Sequence, residues 1–195
     1  MNQPIRVLGI SGSLRQASYN SALLRAAGHV LPDGMTLELA DLSAIPLYND
    51  DVRAQGFPEG VQHFREQITA ADALLVATPE YNFSIPGVLK NAIDWASRPD
   101  QNKQVPLKGK PVAIMGASTG MFGTVRAQHH LRQVFVFTDN PIVNQPQVLV
   151  MTAKDKFDAN LHLTDEATRG FMRDLLKNLV TLVNVYRLQK QSVGV

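Results

Sequence analysis

Residues 73–87 read Ala73-Leu74-Leu75-Val76-Ala77-Thr78-Pro79-Glu80-Tyr81-Asn82-Phe83-Ser84-Ile85-Pro86-Gly87. The first part, residues 73–78, is a nearly continuous apolar run, as is typical of a central parallel strand covered on both faces. The second part is polar and aromatic, and Pro79 and Pro86 restrict its two ends. A helical pattern follows, with Pro86 near its first turn. Because open α/β sheets bind ligands at the carboxyl ends of their strands, this stretch predicts a ligand-binding loop.

The same alternation of strand and helix extends along the chain. Strands are predicted at residues 5–10, 36–40, 73–78, 112–117 and 147–150. Helices are predicted at residues 21–30, 61–71, 86–96, 122–137 and 164 to about 189, the last capped by Thr164. Residues 42–60, rich in proline and glycine, are interpreted as a long surface loop.

This order predicts an α/β fold with a parallel sheet and right-handed crossovers. Five strands in 195 residues match the flavodoxin-like arrangement, a three-layer sandwich with strand order 2-1-3-4-5 and helices on both faces. In that arrangement a flavin binds at the carboxyl ends of the first and third strands, where the chain leaves the two strands in different directions. No repeat or linker divides the sequence, so residues 1–195 are predicted to form one domain.

The composition excludes several classes of function. The chain has no cysteine, which excludes disulfides, thiolate zinc sites, iron–sulfur clusters and cysteine nucleophiles, and no metal site is expected. The formal net charge is +2 and the charges are scattered, so no nucleic-acid partner is expected. The start of the sequence does not resemble a signal peptide, and no apolar stretch approaches the roughly 20 residues that span a bilayer. A cytoplasmic protein without a membrane partner is therefore expected.

The loop after the first strand, residues 11–21, has the residues of a phosphate cradle. It precedes a helix amino terminus, where unpaired N–H groups and a partial positive charge favour phosphate. Gly12 permits close backbone approach. The candidate contacts are the hydroxyls of Ser11, Ser13, Ser18 and Ser21, the amide of Asn20 and the guanidinium of Arg15. The alternative is an ordinary serine-rich loop that caps a helix. Neither the dinucleotide fingerprint nor a Walker loop is present.

The loop after the third strand is the candidate site for a ring system. Its backbone amides could bond the edge of a flavin, and Tyr81 and Phe83 offer apolar faces. The alternative is a rigid surface loop, in which Glu80 caps a helix or pairs with an arginine.

A third loop, after the strand at residues 112–117, contains Gly116-Ala117-Ser118-Thr119-Gly120. This is the nucleophile-elbow pattern of serine hydrolases, and Asp155 or Asp158 with His162 would supply the required chain order. Because the motif is short, a hydrolase that uses Ser118 is kept only as an alternative.

Two motifs together carry a family resemblance. Gly9-x-Ser11-Gly12-Ser13-Leu14-Arg15-x-x-Ser18-x-Asn20 and Pro79-Glu80-Tyr81-Asn82-x-Ser84-x-Pro86-Gly87-x-Leu89-Lys90-Asn91-Ala92-Ile93-Asp94-Trp95 resemble the NADPH-dependent FMN reductases. The similarity is strongest to bacterial chromate- and quinone-reducing members, which overlap with azoreductase-like ones. By resemblance, Ser13, Arg15, Ser18, Asn20 and Ser21 would hold the FMN phosphate. The isoalloxazine would be lined by Pro79, Glu80, Tyr81, Asn82, Phe83 and Ser84, with Ser118 closing the third side.

The resemblance also implies the reaction and the assembly. NADPH or NADH would reduce bound FMN, and quinones, chromate, azo compounds or free flavins would then be reduced in a ping-pong cycle. The flavin carries the chemistry, so no catalytic side chain is expected. Members form homodimers or homotetramers. An alternative is a flavodoxin-type electron carrier, although such carriers are usually strongly acidic and this chain is slightly basic.

Overall fold

The computed structural model describes residues 4–193 and contains a five-stranded, all-parallel sheet in the order β2-β1-β3-β4-β5. The strands are β1 (Ile5–Ser11), β2 (Met35–Ala40), β3 (Ala73–Ala77), β4 (Val112–Ala117) and β5 (Val148–Val150). The helices are α1 (Tyr19–Gly28), α2 (Asp50–Ala54), α3 (Glu59–Ala70), α4 (Gly87–Ala96), α5 (Val125–Phe137) and α6 (Glu166–Val193), and a short 3-10 helix spans Ala153–Asp155. The predicted flavodoxin-like fold and strand order are confirmed.

The strand β3 lies at the centre of the sheet, and all five of its residues are buried. It pairs with β1 in a register that sets Ser11 opposite Ala77, so the two strands end side by side. The continuous apolar run predicted this position, because a strand covered on both faces has no solvent side on which to place polar residues.

Helices cover both faces of the sheet, which gives three layers. On one face, Leu23 and Leu24 of α1 and Leu176 of α6 pack against strand residues that include Leu75. On the other face, residues of α3, α4 and α5 pack against strand residues that include Val76. The strands β1 to β4 therefore contribute to both apolar cores and β5 to one of them, and the carboxyl ends of the strands are left free for loops.

The prediction of one long loop at residues 42–60 is wrong. The helix α2 lies within it, and the Asn49 side chain caps this helix by accepting the N–H of Asp51 at 2.9 Å. The helix α3 then begins at Glu59. None of the α2 residues is buried, so no apolar periodicity marks the helix in the sequence. Its stability comes from the cap and from acidic residues in the first turn.

Four other helix starts differ from the predictions by one to three residues, and a physical reason is visible for α5 and α6. The helix α5 begins at Val125 rather than at residue 122, because Gly123 and Thr124 adopt left-handed backbone conformations. The helix α6 is capped by Asp165 rather than by Thr164. The Asp165 carboxylate accepts the backbone N–H of Thr168 at 2.9 Å and its hydroxyl at 2.6 Å. A carboxylate also complements the helix dipole, which explains why Asp165 is used.

Candidate functional site

The loops that follow β1 and β3 are in direct contact at the carboxyl edge of the sheet. The Gly12 N–H donates to Ala77 O at 2.8 Å. A Cβ placed on Gly12 would lie 3.1 Å from Pro79 Cδ and 3.4 Å from Pro86 Cγ. A side chain at this position would require the two prolines to move by a few tenths of an ångström, so glycine favours the close approach. The two loops that the sequence predicts to bind a ligand therefore meet at the divergence of β1 and β3, the point where the chain leaves these adjacent strands in different directions.

The loop after β1 is ordered by its own hydroxyls. The hydroxyl of Ser18, which caps α1, accepts the N–H of Ser21 at 3.3 Å. The hydroxyls of Ser11 and Ser21 lie 2.8 Å apart, and Ser11 also accepts the N–H of Ser13 at 3.3 Å. The first N–H groups of a helix have no acceptor within it, so those of Tyr19 and Asn20 remain available. The loop both caps the helix and keeps donors free for an anion.

Arg15 and Asn20, both predicted to contact phosphate, lie in different surroundings. Arg15 is exposed, and within residues 4–193 its guanidinium has no bonded partner. The Asn20 side chain is buried, donates to Ala117 O at 2.9 Å and accepts the Ala117 N–H at 2.9 Å. The phosphate contact of Asn20 stays a prediction. What the structure shows is that Asn20 joins the first loop to the end of β4, a bond that no local sequence signal indicates.

The loop after β3 is closed by a tight turn. Tyr81 and Ser84 exchange backbone hydrogen bonds of 3.0 and 2.9 Å. Between them, Asn82 and Phe83 both have positive φ angles, 50° and 64°, the signature of a type I′ turn. The N–H groups of Tyr81 and Ser84 are therefore used within the turn. Within the described residues, the N–H groups of Glu80, Asn82 and Phe83 have no acceptor, so these are the backbone amides of residues 80–84 that remain available to bond a flavin.

Glu80 has both of the structural roles that the sequence allowed. Its Oε2 accepts the N–H groups of Arg126 and Ala127 at 3.0 and 3.2 Å, which caps α5. Its Oε1 pairs with the Arg126 guanidinium at 2.6 Å. The Glu80 side chain is only 8% exposed and that of Arg126 is 35% exposed, so the carboxylate end of this ion pair is the part shielded from water. The loop after β3 is thereby fixed to the start of α5.

The Arg126 guanidinium lies between two aromatic rings at the rim of the site. Its central carbon is 3.9 Å from the centre of the Phe83 ring and 4.7 Å from that of Phe122. Both rings are more than half exposed. The Ser84 hydroxyl adds a further link to α5, because it lies 3.0 Å from Nδ1 of His130. Arg126 and His130 were missed as site residues, since each meets its partner across 46 positions of sequence.

Ser118 lies at the end of β4 and is held by its neighbours. Its N–H donates to Val150 O at 3.0 Å, and its hydroxyl accepts the Gly120 N–H at 3.1 Å. The histidine of the hydrolase alternative, His162, bonds Asp158 at 3.0 Å, and within residues 4–193 no histidine bonds Ser118. The Ser118 backbone also lacks the strained positive φ of a nucleophile elbow, and α5 begins only at Val125. These residues therefore form no triad.

Residues 4–193 contain neither a candidate metal-binding cluster nor a candidate membrane-spanning helix. Among residues 4–193, no group of three or more histidine, aspartate or glutamate side chains is arranged to hold a metal ion. In the same range, no helix is both long enough and apolar enough to cross a bilayer.

A flavodoxin-like sheet with a hydroxyl-rich loop and a ring-lining loop at the divergence of β1 and β3 defines the class as a candidate flavin-binding protein. The sequence profile of the NADPH-dependent FMN reductases matches residues 5–155. The chain belongs to this family. The expected class, an FMN-dependent oxidoreductase that uses NAD(P)H, is confirmed.

Three similar proteins illustrate the relationship. An NAD(P)H-dependent FMN reductase of Pseudomonas aeruginosa is 58% identical over 179 residues, which cover 92% of this chain and 95% of that protein. A 2-hydroxy-1,4-benzoquinone reductase of a Burkholderia species is 39% identical over 184 residues, covering 94% and 99% of the two chains. The solved structure of FerB, an NAD(P)H:(acceptor) oxidoreductase of Paracoccus denitrificans, has 33% identity and a TM-score of 0.82, covering 92% of this chain and 97% of that one.

Proposed function

We propose that this protein is an FMN-dependent NAD(P)H:quinone oxidoreductase whose flavin lies at the divergence of β1 and β3. The observation that carries the proposal is the contact between the two loops at this point. Gly12, in the hydroxyl-rich loop, packs against Pro79 and Pro86 of the ring-lining loop. The loop whose N–H and O–H groups can hold a phosphate is thus adjacent to the loop that can line a flat ring, as the binding of a phosphorylated ring cofactor requires.

The residues of the first loop fit a phosphate group. Arg15 is an exposed cation with no bonded partner in the described chain, and the first turn of α1 offers free N–H groups. The hydroxyls of Ser11 and Ser21 lie 2.8 Å apart, the Ser18 hydroxyl caps the turn by accepting the Ser21 N–H, and the Ser13 hydroxyl accepts the Arg15 N–H at 3.4 Å. We propose that these groups, with Arg15 and Asn20, hold the phosphate.

The second loop fits a flat ring. We propose that the ring is lined by residues 79–84 and bordered on its third side by Ser118. The proline at position 79 is buried, Tyr81 and Phe83 are exposed, and the turn leaves the N–H groups of Asn82 and Phe83 free. Glu80 contributes through its backbone and by fixing the loop, because its carboxylate is occupied by α5.

Bound FMN supplies the chemistry, since it can take a hydride equivalent from NAD(P)H and deliver two electrons to a quinone. The role of the chain's own residues is to bind FMN and to hold it in position. The free amides of Asn82 and Phe83 are preorganised donors for a developing negative charge at a ring edge. The Arg126 cation, paired with Glu80 and stacked on Phe83, keeps that turn in place. No side chain is needed as an acid, base or nucleophile.

The order of events and the range of acceptors extend the proposal. We propose that donor and acceptor use one open site in turn, which gives ping-pong kinetics. Quinones are the proposed main acceptors, because relatives are named for quinone reduction. Chromate, azo compounds and free flavins are proposed as further acceptors of the same open site.

The family resemblance also supports proposals on organisation. We propose that residues 1–195 act as one FMN-binding domain, that the protein forms a homodimer or homotetramer, and that it functions in the cytoplasm. Light scattering of the purified protein, coupled to size-exclusion chromatography, tests the assembly directly.

The decisive experiment combines a visible spectrum with anaerobic turnover. Protein incubated with FMN and desalted should show a flavin band that bleaches with NADPH and returns with a quinone. A band that NADPH leaves unchanged would support the electron-carrier alternative. If no FMN is bound, the proposal fails.

A matched pair of variants tests the site itself. Arg15→Ala should weaken FMN binding, because it removes an unpaired cation from the proposed phosphate cradle. Arg53→Ala, on α2 and paired with Asp50, should leave FMN binding unchanged. Equal affinities of the two variants would contradict the placement of the phosphate.

A further inference from the structure

A second cleft of about 860 Å³ lies between α1, the segment at residues 160–163 and the first turns of α6. It shares no residue with the set proposed to hold FMN. Its volume falls in the range of about 300–1,000 Å³ that is usual for small-molecule sites. The cleft is therefore large enough for an organic ligand of its own.

Two helices face this cleft with paired basic side chains. Arg25 and His29 lie four residues apart on α1, so they share one face of that helix. Arg169 and Arg173 have the same spacing on α6. His162 lies on the segment between the helices. Three arginines against Glu166, the one carboxylate that lines the cleft, leave about two net positive charges even with neutral histidines.

The α6 side of the cleft is held in place by its own contacts. Arg169 donates to Leu163 O and pairs with Glu166, and Arg173 lies 3.5 Å from the same carboxylate. Asp158 orders the adjoining segment by accepting the N–H groups of Asn160 and His162 at 2.9 and 2.8 Å. A wall that is ordered before binding loses little entropy when a ligand arrives.

The α1 side supplies a cation, Arg25, that no partner in the described chain neutralises. Within residues 4–193, the exposed side chains of Arg25 and His29 have no hydrogen bond or ion pair. Apart from the polar Asn160, the rest of the lining is apolar, and its buried members Ala22 and Leu163 mark the floor of the cleft. The apolar lining residues are Ala22, Ala26, Val30, Leu31, Leu161 and Leu163. The cleft thus combines unneutralised positive charge at its rim with an apolar floor.

We propose that this cleft binds an amphipathic organic anion, with an apolar body on the floor and a carboxylate, sulfonate or phosphate between Arg25 and Arg173. Guanidinium groups bind such anions with two parallel hydrogen bonds, and an apolar body displaces water from the floor. Inorganic anions alone would leave the floor uncovered, and neutral apolar molecules would leave the arginines without a partner.

The probe is anilinonaphthalene sulfonate, added to FMN-saturated protein and followed by calorimetry and by backbone amide resonances. We expect one site per chain, with shifts at Ala22, Ala26 and Leu161. Arg25→Gln and Arg173→Gln should each weaken binding about five- to ten-fold, because each removes a cation from the rim. Both side chains are exposed, so both variants should fold. Arg53→Gln, an arginine outside the cleft, is the matched control and should bind as the unaltered protein does.

Two ligand controls sharpen the test. Phenylnaphthylamine, which lacks the sulfonate, should bind at least about ten-fold more weakly, and inorganic phosphate should compete only weakly. The proposal is overturned if the sulfonate-free compound binds equally well, if neither arginine variant changes affinity, or if the shifted amides are those of residues 81–84.

Discussion

The side chain of Asn20 makes two 2.9 Å hydrogen bonds to the backbone of Ala117, although 97 residues separate them in the sequence. One bond satisfies the Ala117 N–H and the other its carbonyl. Both residues are buried, so water cannot replace Asn20. The end of β4 and the start of α1 are thereby held together on the edge of the sheet that carries the proposed flavin.

Asn20→Ala should destabilise the protein by about 2 kcal/mol, because it leaves a buried donor and acceptor of Ala117 without partners. Urea unfolding of the apoprotein measures this loss, and FMN titration should show weaker binding. Asn102→Ala, at an exposed turn, is the control and should change neither. A neutral result for Asn20→Ala would mean that Ala117 is satisfied by other groups.

Glu80→Ala should lower the free energy of unfolding by about 1–3 kcal/mol. It removes a cap from α5 and leaves Arg126 without its carboxylate. Glu66→Ala, on the exposed face of α3, is the matched control. Thermal unfolding compares the two variants. If both melt alike, the Glu80–Arg126 pair contributes nothing to stability.

Gly116→Ala tests the close packing of β4 against Thr78 and Thr124. A Cβ at this position would lie 2.5 Å from Thr78 O and would overlap the Thr124 side chain. Because backbone must move to relieve the overlap, we expect a loss of about 1–3 kcal/mol or more and weaker FMN binding. Gly28→Ala, where nothing lies within 4 Å of the added Cβ, should be neutral or slightly stabilising.

Phe83→Gly should separate stability from function. Phe83 has a φ angle of 64°, a conformation that costs a bulky residue roughly 1 kcal/mol and glycine nothing. The Asn-Gly pair is also the preferred sequence for a type I′ turn. We expect unchanged or higher stability, together with weaker FMN binding because the aromatic face is lost. A variant that is less stable and binds FMN normally would contradict both expectations.

The lowered pKa of Asp165 predicts that the free energy of unfolding depends on pH. Its pKa is lowered from 3.8 to about 2, chiefly by the hydrogen bond from Lys156, with further bonds from Thr168. The folded state therefore binds this proton less tightly than the unfolded chain. The contribution is complete above pH 4 or so and is lost as the pH falls towards about 2.

Asp165→Asn should remove this contribution, on the order of 1 kcal/mol, since water screens the Lys156 pair. Urea unfolding between about pH 2 and pH 6 measures it, with Asp33→Asn on an exposed turn as the control. Parallel pH profiles for the unaltered protein and Asp165→Asn would show that the pair is not the cause.

Local patterns were sufficient to predict the central part of the fold. The apolar run at residues 73–78 predicted β3, because burial on both faces requires it, and the loops after β1 and β3 followed from chain order. The short helix α2 could not be predicted, because none of its residues is buried and its sequence therefore has no apolar periodicity.

The inner contacts of the site could not be predicted from local patterns. The Glu80–Arg126 pair and the Asn20–Ala117 pair each join segments at least 46 residues apart. The sequence indicates that Glu80 could cap a helix or pair with an arginine, but it identifies neither the helix nor the arginine. The left-handed backbone of Phe83 was also unexpected, since a bulky aromatic residue rarely adopts it.

Because Tyr81 and Ser84 hydrogen-bond to each other, residues 82 and 83 form the tip of a turn that is closed by its own hydrogen bonds. Exchange of these two residues leaves the α5 cap and the sheet intact, and residues that tolerate a positive φ, such as glycine and asparagine, keep the turn's own hydrogen bonds. Divergence within a lineage can therefore proceed at this position by small steps, each of which alters the rim of the site without a new fold. For an engineer, the same two positions are the natural place for a combinatorial library aimed at a new acceptor.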